Sequence, residues 1–171
     1  MESSCLAFHH GAARDVLDRD GKPIGVEFYS CIFDKYIDFG REFGYQGNSL
    51  PYLNHFSGEQ KSQLLTKVYV DLLQEKCKSE VVSDWGLDFP AIHPGGDGRG
   101  ATHIYGAAAL PKGSFNPFDA FCRIDLSTGN SEHWKSDCGY LGEGYFVPTG
   151  ETEETGFILV MAYRPDGTDV L

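Results

Sequence analysis

The sequence predicts an all-β fold, and three observations carry that prediction. Apolar residues alternate with polar ones in short bursts, turn residues close each burst, and 21 glycines and 8 prolines disfavour long helices. A hydrophobic content of 41% and an aromatic content of 13% are enough for a packed core in a chain of 171 residues.

The elements follow in order. Cys5-Leu6-Ala7-Phe8 opens a first strand that is expected to be under way from Met1, which suggests a piece of something larger. Asp18-Arg19-Asp20-Gly21 forms a turn into a second strand, Ile24 to Phe33. Between Gly58 and Lys76 good helix formers sit at near-helical spacing, but the β-branched second half favours a strand over Thr66 to Leu72, paired with Ser79 to Val82. Further strands are expected over Thr102 to Ala109, Ala120 to Leu126, Ser131 to Lys135, Tyr145 to Val147 and Phe157 to Tyr163. Ser127-Thr128-Gly129-Asn130 and Arg164-Pro165-Asp166-Gly167 read as tight hairpin turns. Residues 34 to 57 and 83 to 101 read as long Gly-rich connections with room for short helices.

Regular hairpins joined by such loops suggest propeller blades, and roughly 40 to 50 residues per blade allows about three to four of them. A propeller closes on itself to remove exposed strand edges, so residues 1–171 are expected to form a single partial domain, an incomplete ring.

A net charge of −11 argues against a nucleic-acid or anionic-membrane surface, which needs clustered Lys and Arg. No apolar run approaches the roughly 18 residues of a spanning helix, and the first residues do not read as a signal-peptide h-region. The five cysteines, at 5, 31, 77, 122 and 138, include no CxxC and are expected to be reduced thiols of an intracellular protein.

Several motifs suggest chemistry and most have a plainer account. Asp18, Asp20, Gly21 and Glu27 partly mimic a calcium loop, but Val16 stands where its first ligand belongs and a strand follows, so a hairpin turn is the better reading. The cluster from Gly95 to Gly100 lacks the Lys-Ser/Thr of a phosphate loop and reads as a flexible loop. His55, His93, His103 and His133 have no ligand spacing. The Phe8-His9-His10 doublet is a candidate metal site, because a neutral imidazole suits iron, copper and zinc. Neighbours on an extended chain point to opposite faces, so only one of the two histidines can face a given site.

Six motifs in order change the balance. They are Phe8-His9-His10, Asp88-Phe89-Pro90-Ala91-Ile92, Thr102-His103-Ile104-Tyr105-Gly106, Ile124-Asp125-Leu126-Ser127-Thr128-Gly129, Gly142-Glu143-Gly144-Tyr145-Phe146-Val147-Pro148 and Thr155-Gly156-Phe157-Ile158-Leu159. In that order and spacing they resemble the carotenoid cleavage oxygenase family over most of the chain.

The resemblance implies a seven-bladed β-propeller whose axis holds Fe(2+) on four histidines, with molecular oxygen splitting a polyene double bond into two carbonyl products. His9 matches the third ligand, and His10 a neighbouring position that is not a ligand. Glu143 matches a glutamate that accepts the ring N–H of an iron histidine, and is expected to support His9; such a carboxylate fixes the tautomer and orientation of its ligand. Ala12-Ala13 replaces the family's Asn-Ala, and Gly144 replaces the proline after the glutamate. The other ligand histidines would lie before Met1 and beyond Leu171.

The expected function is therefore part of a carotenoid or apocarotenoid dioxygenase, inactive as this chain alone because one histidine cannot hold catalytic iron. Loops 34 to 57 and 83 to 101 would help cover an apolar substrate tunnel, any peripheral membrane contact would come from missing regions, and cytoplasm or plastid is the expected compartment. A reading from another class is a non-catalytic propeller fragment that acts as an interaction module.

Overall fold

The computed structural model describes residues 5–33, 63–112, 114, 118–153, 155–164 and 169–170. They form ten strands and a single 3-10 turn: β1 (Leu6–Leu17), β2 (Pro23–Phe33), β3 (Leu64–Asp71), β4 (Lys76–Ala91), the turn Pro94–Gly96, β5 (His103–Ala108), β6 (Ala120–Asp125), β7 (Ser131–Lys135), β8 (Tyr140–Pro148), β9 (Gly156–Tyr163) and β10 (Asp169–Val170). The fold is all-β, as the alternation predicts, and its sheets do not close into a ring among the described residues.

Seven strands pair antiparallel in chain order, β1 to β7, and β8, β9 and β10 make a second sheet. The seven-stranded order conceals two four-stranded units that share β4. Lys76 to Val81 pair with β3, whereas Leu87 to Ala91 pair with β5. Past Val81 the pairing with β3 slips at an irregularity opposite Leu65 and ends at Gly86, which still faces Leu64, as Leu87 takes up β5. Trp85 anchors this crossing, buried, with its indole N–H donating to the Ser131 hydroxyl at 3.0 Å.

Residues 83 to 91 are thus strand, where the sequence suggested a connection. Trp85, Gly86, Leu87 and Asp88 are buried in succession, so the alternation that marks a half-exposed strand is missing there. The Gly95–Gly100 segment is also less free than expected: Gly98 donates to the Ala13 carbonyl at 3.1 Å and bridges Arg14, so it is pinned against β1. Residues 34–57, His55 and the turn at 165–167 lie outside the described residues.

Three hairpins open on an aspartate that caps the turn behind it. Asp18 Oδ1 accepts from the Asp20 and Lys22 amides, Asp71 Oδ1 from Leu73 and Gln74, and Asp125 Oδ1 from Ser127 and Thr128. The calcium-like run at 16–27 is accordingly a hairpin turn. Gly21, at φ +80°, supplies the left-handed residue that turn requires.

Two cores hold the units together. One packs Leu65, Trp85, Leu87, Ile104 and Ile124 where the four-stranded units meet, and Leu65, Leu87, Ile104 and Ile124 are fully buried. Each such aliphatic side chain contributes about 1.5–3 kcal/mol. The other joins the second unit to the β8–β10 sheet through Ala107, Phe118, Phe121, Leu141 and Ala162.

Candidate functional site

The chemistry concentrates where β1 passes the end of β4. In β1 the register jumps between Ala7 and His10, so Phe8 and His9 together face the single residue Cys31 of β2. A second jump follows between His10 and Ala12. Such bulges kink a strand and re-aim its side chains. Here His9 turns to β4, while His10 is exposed with its ring edge-on to Phe28, the centroids 5.9 Å apart.

His9 Nδ1 lies 2.8 Å from Asp88 Oδ1. A carboxylate can only accept, so Nδ1 carries the proton in this pair. The Asp88 side chain is 9% exposed and that of His9 42% exposed, so the carboxylate sits inside and the imidazole reaches out from it. The Ser30 hydroxyl donates to the His9 carbonyl at 3.1 Å and steadies the bulge from β2. Gly11 completes the junction: a Cβ there would come within 3.0 Å of both Pro90 Cβ and Ile104 Cδ1, so glycine lets β1 approach β4 this closely.

Cys31 lies between these strands. Its thiol is pushed well above the ordinary range by burial and then by the nearby Asp88 charge, so it remains a neutral packing group. All five cysteines are free thiols.

Asp88, not Glu143, is the carboxylate against His9. Glu143 is exposed on β8, in an irregularity between Leu141 and Gly144, and no hydrogen bond or ion pair joins it to His9. The sequence held Asp88 only as one letter of a motif. Its pairing with a histidine 79 positions earlier depends on two bulges that no local periodicity reveals. The clue that could have marked it is the acidic-aromatic-proline run Asp88-Phe89-Pro90, which interrupts strand alternation.

The other described histidines have structural partners. His93 Nδ1 accepts from the Gly95 amide at 3.0 Å and caps the 3-10 turn. His103 Nε2 lies 2.9 Å from Arg123 Nη2, and its Nδ1 is 2.9 Å from the Thr102 hydroxyl. His133 stacks on Trp85. Among the described residues no three His, Cys, Asp or Glu side chains gather as a metal-binding group.

Farther along β1 is a charged cluster of another kind. Glu27, 9% exposed at its side chain, accepts from Arg14 at 2.9 Å and from Lys67 at 2.8 Å. These residues and Tyr29 line an open cavity of about 320 Å³ to which Thr102, His103 and Asp125 contribute from the second unit. Burial and the Glu27 charge raise the Tyr29 phenol, and the Glu27 hydrogen bond raises Lys67.

A family model described as retinal pigment epithelial membrane protein matches residues 1–170. The chain belongs to the carotenoid cleavage oxygenase family. Carotenoid cleavage dioxygenase 7, chloroplastic, of Oryza sativa subsp. japonica is 29% identical over 177 residues, covering 94% of this chain and 29% of that relative. Two solved structures share the fold. Cobalt-substituted ACO of Synechocystis superimposes with a TM-score of 0.75 at 22% identity, over 94% of this chain and 32% of that one. An ACO/RPE65 chimera gives 0.76 at 21%, over 94% and 32%. The chain thus spans about a third of the length of these family members. No helix among the described residues is long and apolar enough to cross a membrane.

Proposed function

We propose that this chain contributes one ligand, His9, to the non-haem Fe(2+) centre of an oxygenase that cleaves a double bond of a carotenoid or apocarotenoid. The observation that carries the reading is the His9–Asp88 pair. A carboxylate at 2.8 Å holds the proton on Nδ1 of a half-exposed imidazole and would leave Nε2 to bind the metal, which is how a ligand imidazole is prepared. The donor chemistry fits iron, because imidazole is among its ordinary ligands.

Bound Fe(2+) supplies the redox centre for reaction with molecular oxygen. The chain's own residues orient and shield. Asp88 fixes the tautomer, and the β1 bulge aims the ring. Phe8, whose ring is 6.4 Å from that of His9, places an apolar group beside it, as a polyene substrate requires. Glu143, exposed on β8, would support a different ligand histidine, and the rest of the iron shell would come from other polypeptide. The plastid is the proposed compartment, in keeping with the chloroplastic rice relative.

The test is iron retention by the longer polypeptide that the full transcript encodes. About one Fe(2+) per chain is expected, lost in His9→Ala together with carotenoid cleavage. Undiminished iron in His9→Ala overturns the assignment.

A further inference from the structure

We propose that Phe89 is a positioning residue for His9, holding the imidazole plane by direct ring contact from a backbone conformation unusual for a phenylalanine. The inference rests on the reading of His9 as a functional imidazole and extends it to a residue that makes no polar contact with it.

Consecutive residues on a regular strand point to opposite faces, so Asp88 and Phe89 should not both reach one side chain. They do. The β4–β5 register breaks between Asp88 and Ala91, and Phe89 sits at φ +52°, in the left-handed region that β-unbranched but bulky residues seldom enter. A residue held there is strained and persists only where its surroundings enforce it. The consequence is a two-sided grip. Asp88 Oδ1 holds the ring edge at Nδ1, and the Phe89 ring lies 5.0 Å from the imidazole, tilted at 46°. Phe89 is braced from behind by Phe118, edge-on, with centroids 5.8 Å apart and an interplanar angle of 79°.

The two contacts restrain different motions. The hydrogen bond fixes which nitrogen carries the proton and where the ring edge lies, but the imidazole can still tilt about the Nδ1–Oδ1 line. The phenylalanine face opposes that tilt. The other ring beside His9, Phe8, is farther off at 6.4 Å, so the closer Phe89 contact carries most of that restraint. The left-handed backbone at Phe89 is therefore retained because it places an aromatic ring where a regular strand would place none.

The experiment uses the whole chain with 13C,15N-labelled histidine and reads the order parameter of the His9 ring and its tautomer by NMR. Wild type is expected to give a rigid ring, near the value of about 0.85 typical of ordered groups, with the proton on Nδ1. Phe89→Gly accepts the left-handed backbone and deletes the ring. It should drop the order parameter below about 0.6 and leave the tautomer and the signals of His93 and His133 unchanged. Phe89→Tyr should restore rigidity. An unchanged order parameter in Phe89→Gly overturns the proposal. If that variant does not fold, Phe118→Leu gives the same readout by removing the brace alone, and an order parameter equal to wild type again overturns it. Asp88→Ala separates the two ideas: a proton that stays on Nδ1 there refutes the His9–Asp88 reading, whatever Phe89 does.

Discussion

Gly144 stands where the family resemblance leads one to expect a proline, and the structure gives a physical reason that can be tested. A Cβ at Gly144 would lie 2.5 Å from Phe121 Cζ, 2.8 Å from Phe121 Cε2 and 3.1 Å from Ile158 Cγ2. Carbon atoms pack at about 3.5–4.0 Å, so the Phe121 ring would have to recede by about 1 Å. It has little room, since Phe121 is 9% exposed and sits in the core shared with Leu141 and Ala162. Overpacking of this kind costs about 1–3 kcal/mol, while restricting the unfolded chain returns about 0.4–1 kcal/mol, so Gly144→Ala should destabilise by about 0.5–2 kcal/mol. In a Phe121→Leu background the colliding ring atoms are gone, and the same substitution should become neutral or mildly stabilising. The coupling between the two sites is then about 1–3 kcal/mol, measurable by urea unfolding followed by tryptophan fluorescence. Additivity within about 0.5 kcal/mol would refute the collision as the reason for glycine at 144.

Glu27→Ala should cost about 1 kcal/mol in urea unfolding, because it removes both ion pairs of a carboxylate only 9% exposed while the cations left behind, Arg14 at 45% and Lys67 at 34% exposed, keep much of their water; a loss above about 3 kcal/mol would mean that both cations are effectively buried. Stability should fall as pH rises above about 9, because four groups that titrate in the alkaline range shift upward: Cys31 strongly, Cys122 to about 12 by burial, Tyr29 by burial and Lys67 through Glu27. Each favours its protonated form in the folded state, so its contribution is complete below the unfolded-state pKa and disappears as pH passes the folded one; a urea midpoint that climbs above pH 9 contradicts this. Asp125 is lowered to about 2 by the Ser127 hydroxyl and then by the Ser127 and Thr128 amides, so Ser127→Ala should move its NMR titration upward toward the ordinary carboxylate range. An unmoved midpoint would show that the hydroxyl is not the main cause.

The hairpins were legible because their physics is local. Ser127-Thr128-Gly129-Asn130 predicts the β6–β7 turn, and the strands around it fall where alternation puts them, Ala120–Asp125 and Ser131–Lys135. The β-branched run after Gln63 likewise resolves as strand, Leu64–Asp71, over the helical alternative. What failed was β4. Its first half is an exposed edge, its second half is buried on both faces, and Gly86 and Pro90 interrupt it, so it carries no single period to read. A strand that serves two sheets in turn has no sequence signature of its own. Its existence follows from which neighbours its halves find.

The same strand explains why the site was only half visible. His9 could be picked out by residue type and by its place after a phenylalanine, because a ligand imidazole is a property of one residue. Its carboxylate could not, because the pairing is a property of the path of β4. Had β4 continued as an edge strand of the first unit, Asp88 would have extended away from β1. The crossing at Trp85 instead carries Leu87 to Ala91 onto β5, and the irregularity at Phe89 then presents acid and aromatic ring together to the bulge in β1. The resemblance led to Glu143 because that motif retains its glutamate, whereas the carboxylate that holds His9 is an aspartate. A shorter side chain reaches the same ring nitrogen only if the strands approach more closely, and Gly11, with no Cβ to meet that of Pro90, provides that approach. Gly11, Asp88 and His9 are therefore one geometric unit, and a side chain added at Gly11 should disturb the imidazole without touching it.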